Sequence, residues 1–231
     1  MTPRYAIYFS PERHSPWWQF GAHWLGRDEC NDAPLPQPDL AQFTTAELHA
    51  LTVEPRRYGF HATLKAPFRL HGDHNVADLL AQMQALVASL KPVALGPMRV
   101  TTLGNFVALV AAVQADELGQ LAAACVTGLD TLRAPLSEAE LARRLGAQLD
   151  AREQELLQLY GYPHVLERFR FHFSLSGPLA TTDAQRVMQA VLEPVAQLDA
   201  TAPLLLDRLC LFVETAPGQP FRRVTDVEMA S

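Results

Sequence analysis

Cysteine is scarce in this sequence. Cys30, Cys125 and Cys210 are the three in 231 residues, widely spaced, odd in number and without a CxxC pair. That pattern supplies neither a disulfide framework nor a thiolate zinc site, so each thiol reads as a small buried apolar residue. There is no apolar run long enough to cross a bilayer. The opening "MTPRYAIYFSPERH" lacks the h-region and cleavage site of a signal peptide. The expectation is a cytoplasmic chain with no membrane partner. Positive charge is not in excess either. A formal net charge of -6 disfavours a long nucleic acid, whose binding rests on many phosphate contacts. It leaves room for a small phosphate ester in a locally basic pocket. GxGxxG, GxxxxGK(S/T) and GxSxG are all missing, so nothing signals a dinucleotide site, a P-loop or a serine hydrolase.

Hydrophobic residues make up 48% and charged ones 19%, the balance of a globular protein with a full core. The expectation is one domain over residues 1–231. "RYAIYF" alternates and is rich in strand formers. Ser15 and Pro16 read as N-cap and first residue of a helix carrying Trp17, Phe20, Trp24 and Leu25 at helical spacing. Thr44 and Glu47 form a capping box for a short helix ending before Pro55. A strand follows, then an amphipathic helix from Asn75, then strands broken at Gly96 and Gly104. Helices are predicted over "DELGQLAAACVTGLDTL" and, opened by a Ser137–Glu140 capping box, over "SEAELARRLGAQLDAREQELLQLY". A second strand, a helix from about Thr182 to Gln197 and a closing hairpin with Gly218 in its turn complete the chain. This order predicts an α+β protein of two similar halves, about 1–115 and 160–231, joined by helices over 116–159. The oligomeric state is left open.

Two segments repeat each other. "YGFHATLKAP" (Tyr58 to Pro67) and "FRFHFSLSGP" (Phe169 to Pro178) each place His after Phe, a hydroxyl residue two positions on, then Leu, a small residue and Pro. With eight His in the chain, about one HxS or HxT match is expected by chance. A lone strand His of this kind is ordinarily a hydrogen-bonded core residue. Agreement at Phe60/Phe171, Leu64/Leu175, Ala66/Gly177 and Pro67/Pro178 lifts the pair above chance.

Side chains at i and i+2 of a strand share a face. His61 and Thr63 therefore face one way, with Phe60, Ala62 and Leu64 behind them; His172 and Ser174 face one way, with Phe171, Phe173 and Leu175 behind. Two such strands meeting about a pseudo-twofold axis bring two imidazoles and two hydroxyls to one point. A neutral His there can take a proton and a protonated one can give a proton, since the free pKa near 6.5 lets both forms coexist near neutral pH. The hydroxyls of Thr63 and Ser174 can donate to phosphate oxygens. The symmetry does not say which His is the base. By period, Lys65 and Ser176 at i+4 and Arg170 at i−2 continue the same face. Lys65 and Arg170 are candidate phosphate counter-charges, although Arg170 could instead pair with Glu167 or another carboxylate. Tyr8 is placed in the same cleft. The scheme requires no cofactor and no metal. "HGDH" (His71 to His74) sits at a polar turn without HExxH context and reads as a solvated loop. The Trp17/Trp18/Trp24 cluster reads as core or cleft wall.

At these residues the sequence resembles the 2H phosphoesterase superfamily, through His61-Ala62-Thr63-Leu64 and His172-Phe173-Ser174-Leu175. "RYAIYFSP", "RRYGFHATLKAPFRL" and "GYPHVLERFRFHFSLSGPL" resemble its branch often found in phosphonate-utilisation operons, called domain of unknown function 1045. The second motif has Ser174 where Thr is common in the branch. The resemblance implies a LigT-like, bilobal α+β fold of two pseudo-symmetric lobes around a central cleft. It implies a metal-independent hydrolase, a phosphodiesterase acting on a small ribose cyclic phosphate, with a phosphoribosyl cyclic phosphate as the substrate suggested by the operon. The expected partner is a small phosphorylated sugar or nucleotide. The alternatives are an RNA-end 2′,3′-cyclic phosphodiesterase and a non-catalytic protein that binds a phosphate ligand or nucleotide.

Overall fold

The computed structural model describes residues 2–146 and 148–230. Strand β1 (Arg4–Phe9) leads into α1 (Pro16–Leu25), which opens on a Ser15 side-chain cap and closes on left-handed Gly26. The short strands β2 (Arg27–Asp28) and β3 (Ala33–Pro34) pair with each other. Helix α2 (Thr45–Leu51) begins with the Thr44–Glu47 capping box, and a one-turn α3 (Val53–Arg56) follows. The first repeated segment forms β4 (Ala62–Phe68). After it come α4 (Val76–Val87), β5 (Val93–Ala94), β6 (Met98–Leu103), β7 (Phe106–Ala111) and α5 (Asp116–Gly128). Then follow α6 (Glu138–Leu145), α7 (Ala151–Tyr160) and the second repeat, β8 (Phe173–Ser174). The chain closes with α8 (Thr181–Thr201), β9 (Leu205–Leu206), β10 (Arg208–Glu214) and β11 (Arg222–Glu228). No helix among the described residues is long and apolar enough to cross a membrane.

The α+β class expected from the element order is what the chain adopts, with antiparallel pairing between the strands. One seven-stranded sheet, ordered β11-β10-β1-β4-β8-β7-β6, interleaves strands from the two ends of the chain: β10 and β11 lie beside β1 and β4, and β8 lies beside β6 and β7. The repeated strands β4 and β8 are neighbours at the centre, so the sheet divides between the two histidine motifs with strands from both ends of the chain on either side. The pleat then sorts the side chains. Ile7, Phe9, Phe60, Ala62, Leu64, Phe173 and Leu175 join the main core with Trp24 of α1, Met83 of α4, Leu121 of α5 and Val187 of α8. The opposite face carries a smaller cluster of Ala6, Tyr8, Cys210, Phe212 and Phe221, with Tyr58 against it. One face of the sheet is thus covered by helices, and the other holds the His–hydroxyl pairs.

Four local expectations change. The helix predicted from Ser137 to Tyr160 is two helices, because Asp150 and Glu153 form a second capping box that starts α7 afresh. Helix α2 ends at Leu51, as expected before Pro55, yet Pro55 itself lies within the one-turn α3. Helix α8 runs past Gln197 to Thr201 with Pro194 inside it. The fourth change matters most for the cleft. Tyr8 pairs with Thr63 but Ile7 pairs with Lys65, a register shift that leaves Leu64 as the extra residue of a bulge in β4. The bulge turns Lys65 to the helix-covered face, so the period-2 placement of Lys65 beside His61 is corrected.

Candidate functional site

The single pairing Ala62↔Phe173 between antiparallel β4 and β8 determines the site. In an antiparallel ladder it sets His61 across from Ser174 and Thr63 across from His172, all on the face opposite Ala62 and Phe173. Cavity linings agree, one holding His61 with Ser174 and another Thr63 with His172. The two imidazoles are diagonal neighbours, about 7–8 Å apart at the backbone.

Both rings are fixed in the same way. His61 Nδ1 lies 2.9 Å from the Gly59 carbonyl oxygen, and His172 Nδ1 lies 2.8 Å from the Arg170 carbonyl oxygen. A carbonyl only accepts, so each Nδ1 carries the proton and donates it two residues back along its own chain. Each neutral ring is left with an unprotonated Nε2, and that of His61 lies 3.4 Å from the Thr63 hydroxyl. Burial pulls the His61 pKa down from 6.5 to about 4, the Gly59 carbonyl opposing this and the nearby His172 adding to it. Burial also lowers that of His172, against the pull of the Arg170 carbonyl. Both imidazoles are therefore neutral at pH 7.

Helix α1 braces this arrangement from behind. Trp24 Nε1 donates to the Leu175 carbonyl at 2.7 Å, just past Ser174. Trp18 Nε1 donates at 2.7 Å to Glu29, whose side chain fills the space a Cβ on Gly59 would need, 2.6 Å from Glu29 Cβ. Gly59 itself sits at φ +77°, a conformation that costs other residues energy. Trp17 Nε1 donates to the Ala202 carbonyl. All three indoles are buried with their N–H groups satisfied, so the tryptophan cluster is core. The "HGDH" residues lie in an exposed turn before α4.

The remaining predicted residues fall in three places. Tyr8 is against His61, ring centroids 4.0 Å apart, and burial pushes its phenol well above its ordinary value, keeping it a neutral O–H donor. Arg170 lines the cavity beside His172, and Glu167, its suggested partner, pairs instead with Arg152. Lys65 is structural in position, whereas Ser176 borders the cavity of His61 and Ser174 with its hydroxyl bonded to the backbone. Lys65 Nζ donates to the Val126 carbonyl at 2.8 Å and to Asp130 at 2.9 Å. Burial lowers its pKa while Asp130 opposes the fall. Ser176 accepts from the Val107 N–H and donates to the Gly177 carbonyl, replacing a ladder bond where β8 ends. Residues the motif did not reveal also line the cleft: Tyr58, Arg144 and Tyr162 in one cavity, His164 and Arg168 in another. Tyr58 and Tyr162 stand in "YGFH" and "GYPH", close to the motifs. Arg144 lies on a separate helix with no sequence signal.

Fold and cleft together define an α+β protein in which two His–hydroxyl strands, side by side in one sheet, share one face. The chain belongs to the family described as "Protein of unknown function (DUF1045)", whose model matches residues 63–222. A curated protein of Janthinobacterium sp. (strain Marseille), "Ribose 1,5-bisphosphate phosphokinase PhnN", is 44% identical over 221 residues, covering 94% of this chain and 49% of that protein. A protein of the same name from Laribacter hongkongensis (strain HLHK9) is 34% identical over 219 residues, covering 95% of this chain and 50% of that one. The chain thus spans about half the length of the curated relatives it matches. These names overturn the expected phosphodiesterase, in both its sugar and its RNA-end form. A phosphokinase transfers a phosphoryl group to an acceptor, whereas the expected hydrolase would break a diester with water. The hydrolase reading rested on the motif's resemblance, and acid–base imidazoles serve either kind of reaction.

Proposed function

We propose that the cleft between His61 and His172 binds a small phosphorylated sugar of the ribose phosphate class, and that this chain handles the sugar in a phosphoryl-transfer reaction. The observation that carries the reading is the Ala62↔Phe173 register, which gathers two imidazoles and two hydroxyls on one open face. The sugar class follows the name of the relatives. The residues are assigned to the sugar and not to a nucleotide donor, because the sequence has no GxxxxGK(S/T) loop to cradle nucleotide phosphates. The unprotonated Nε2 of each His accepts a hydrogen bond, or a proton, from a ribose hydroxyl, while the Thr63, Ser174 and Tyr8 hydroxyls donate to phosphate oxygens. The same register supports placing the family in the 2H phosphoesterase superfamily by architecture, with the sheet halves on either side of the β4–β8 seam as its two lobes.

Calorimetric titration of ribose 5-phosphate into the full chain, and into His61→Ala and His172→Ala, tests this. Saturable binding is expected, weakened by about threefold to tenfold by either substitution, the loss of one hydrogen bond between neutral groups. Absence of binding, or binding indifferent to both substitutions, rules the reading out.

A further inference from the structure

Two cavities meet at the histidines. One of about 540 Å³ includes Tyr162, His164, Arg168, Arg170 and His172 in its walls. The other, about 300 Å³, includes Arg4, Tyr8, His61, Arg144 and Tyr162. Thr63, Ala66 and Tyr162 line both, so the two cavities share a wall on the His–hydroxyl face.

Each cavity has two arginines, and in each one of the two is already neutralised. Arg4 Nε is 2.5 Å from Glu214, and Arg168 Nη2 is 2.6 Å from Asp150. Arg144 and Arg170 make no ion pair with any described residue. Of the carboxylates in the wall of the larger cavity, Glu167 pairs with Arg152 outside it, and Glu153 accepts from the Asp150 N–H at 3.0 Å as part of the α7 cap and lies 3.5 Å from His164 in the same wall. No carboxylate lines the smaller cavity among the described residues. Arg144 donates one N–H to the Gly161 carbonyl, which fixes the guanidinium at the cavity wall and leaves the rest of its fork unused. A half-buried guanidinium without a counter-charge has lost hydration that an anion would offset, and the planar fork suits two phosphate oxygens at once.

We propose that the cleft is built for a ligand with two anionic groups, one on each side of the Thr63–Tyr162 wall. Arg170 holds one anion, and Arg144 with the Tyr8 hydroxyl holds the other, while the neutral His61 and His172 face the sugar hydroxyls between them. The proposal rests on the sugar-phosphate reading and narrows it to a bisphosphorylated sugar. Arg144 then reads the second phosphate from a helix outside the sheet that carries the histidines.

The test is calorimetric titration of ribose 1,5-bisphosphate and of ribose 5-phosphate into the full chain and into Arg144→Gln and Arg170→Gln, with thermal unfolding to verify folding. Arg144→Lys, which keeps the charge and loses the fork, replaces the Gln variant if that one does not fold. Wild type is expected to prefer the bisphosphate by about tenfold or more, one charge-assisted contact. Both substitutions should weaken the bisphosphate, and only the one whose subsite the single phosphate occupies should weaken ribose 5-phosphate. Equal affinity of wild type for the two ligands, or equal losses on both ligands in both variants, overturns the two-anion site while leaving the sugar-phosphate reading intact. Failure of wild type to bind either ligand removes the reading and the proposal together.

Discussion

Replacing His61 by Asn tests the electrostatic description of the cleft through stability alone. The His61 ring lies against Tyr8 and Phe212, with centroids 4.0 and 6.2 Å away, and this burial brings its pKa from 6.5 to about 4. The folded value is the depressed one, so the unfolded chain takes up the proton first as pH falls. Stability is therefore intact above pH 6.5 and is lost progressively between 6.5 and about 4. Integrating that difference down to about pH 5 gives a loss of about 2 kcal/mol from this one ring. The figure is an upper bound, because water reaching the ring from the cleft eases its protonation. Asn stays neutral and offers an N–H where Nδ1 stood, so the bond to the Gly59 carbonyl is kept and the proton is not. Urea unfolding of both proteins at about pH 7 and about pH 5 is the assay. Wild type should lose about 2 kcal/mol more than His61→Asn between the two conditions, or about 4–8 °C in Tm for a chain of this size. Carboxylates held low by arginines, such as Glu140 at about 2 beside Arg69, titrate identically in both proteins and cancel. Parallel losses, or a steeper loss in the variant, would refute the buried, neutral imidazole.

Two further substitutions address the supports of the site. Gly59→Ala forces a side chain into φ +77° and sets its Cβ 2.6 Å from that of Glu29, which should cost about 2–4 kcal/mol in urea unfolding; a loss below about 1 kcal/mol would show that the turn is not constrained as described. Lys65→Met should leave stability within about 1 kcal/mol and ribose 5-phosphate binding unchanged, since Asp130 retains Arg133 at 2.8 Å, whereas Asp130→Ala strands a buried ammonium and should cost about 3 kcal/mol. Binding lost in Lys65→Met would return this lysine to the cleft.

The features legible in the chain are those with a local cause. Period-2 alternation placed Phe60, Ala62 and Leu64 behind His61 and Thr63, and did the same in the second repeat, because strand geometry alone alternates side chains. The Thr44–Glu47 and Ser137–Glu140 boxes marked helix starts through contacts three residues long. Alternation stopped being a guide where pairing with another strand broke it. The bulge opposite Ile7 and Tyr8 moved Lys65 to the helix face, and no pattern within "ATLKAP" announces it. Nor does any local pattern say that β4 and β8 are neighbours, that Ala62 meets Phe173, or that Arg144 of α6 reaches the cavity beside His61. Short-range sterics and hydrogen bonding gave each strand an apolar back and a His–hydroxyl front. Long-range burial of those two backs against α1, α4, α5 and α8 set the fronts side by side, because apolar area removed from water is gained only when distant segments meet.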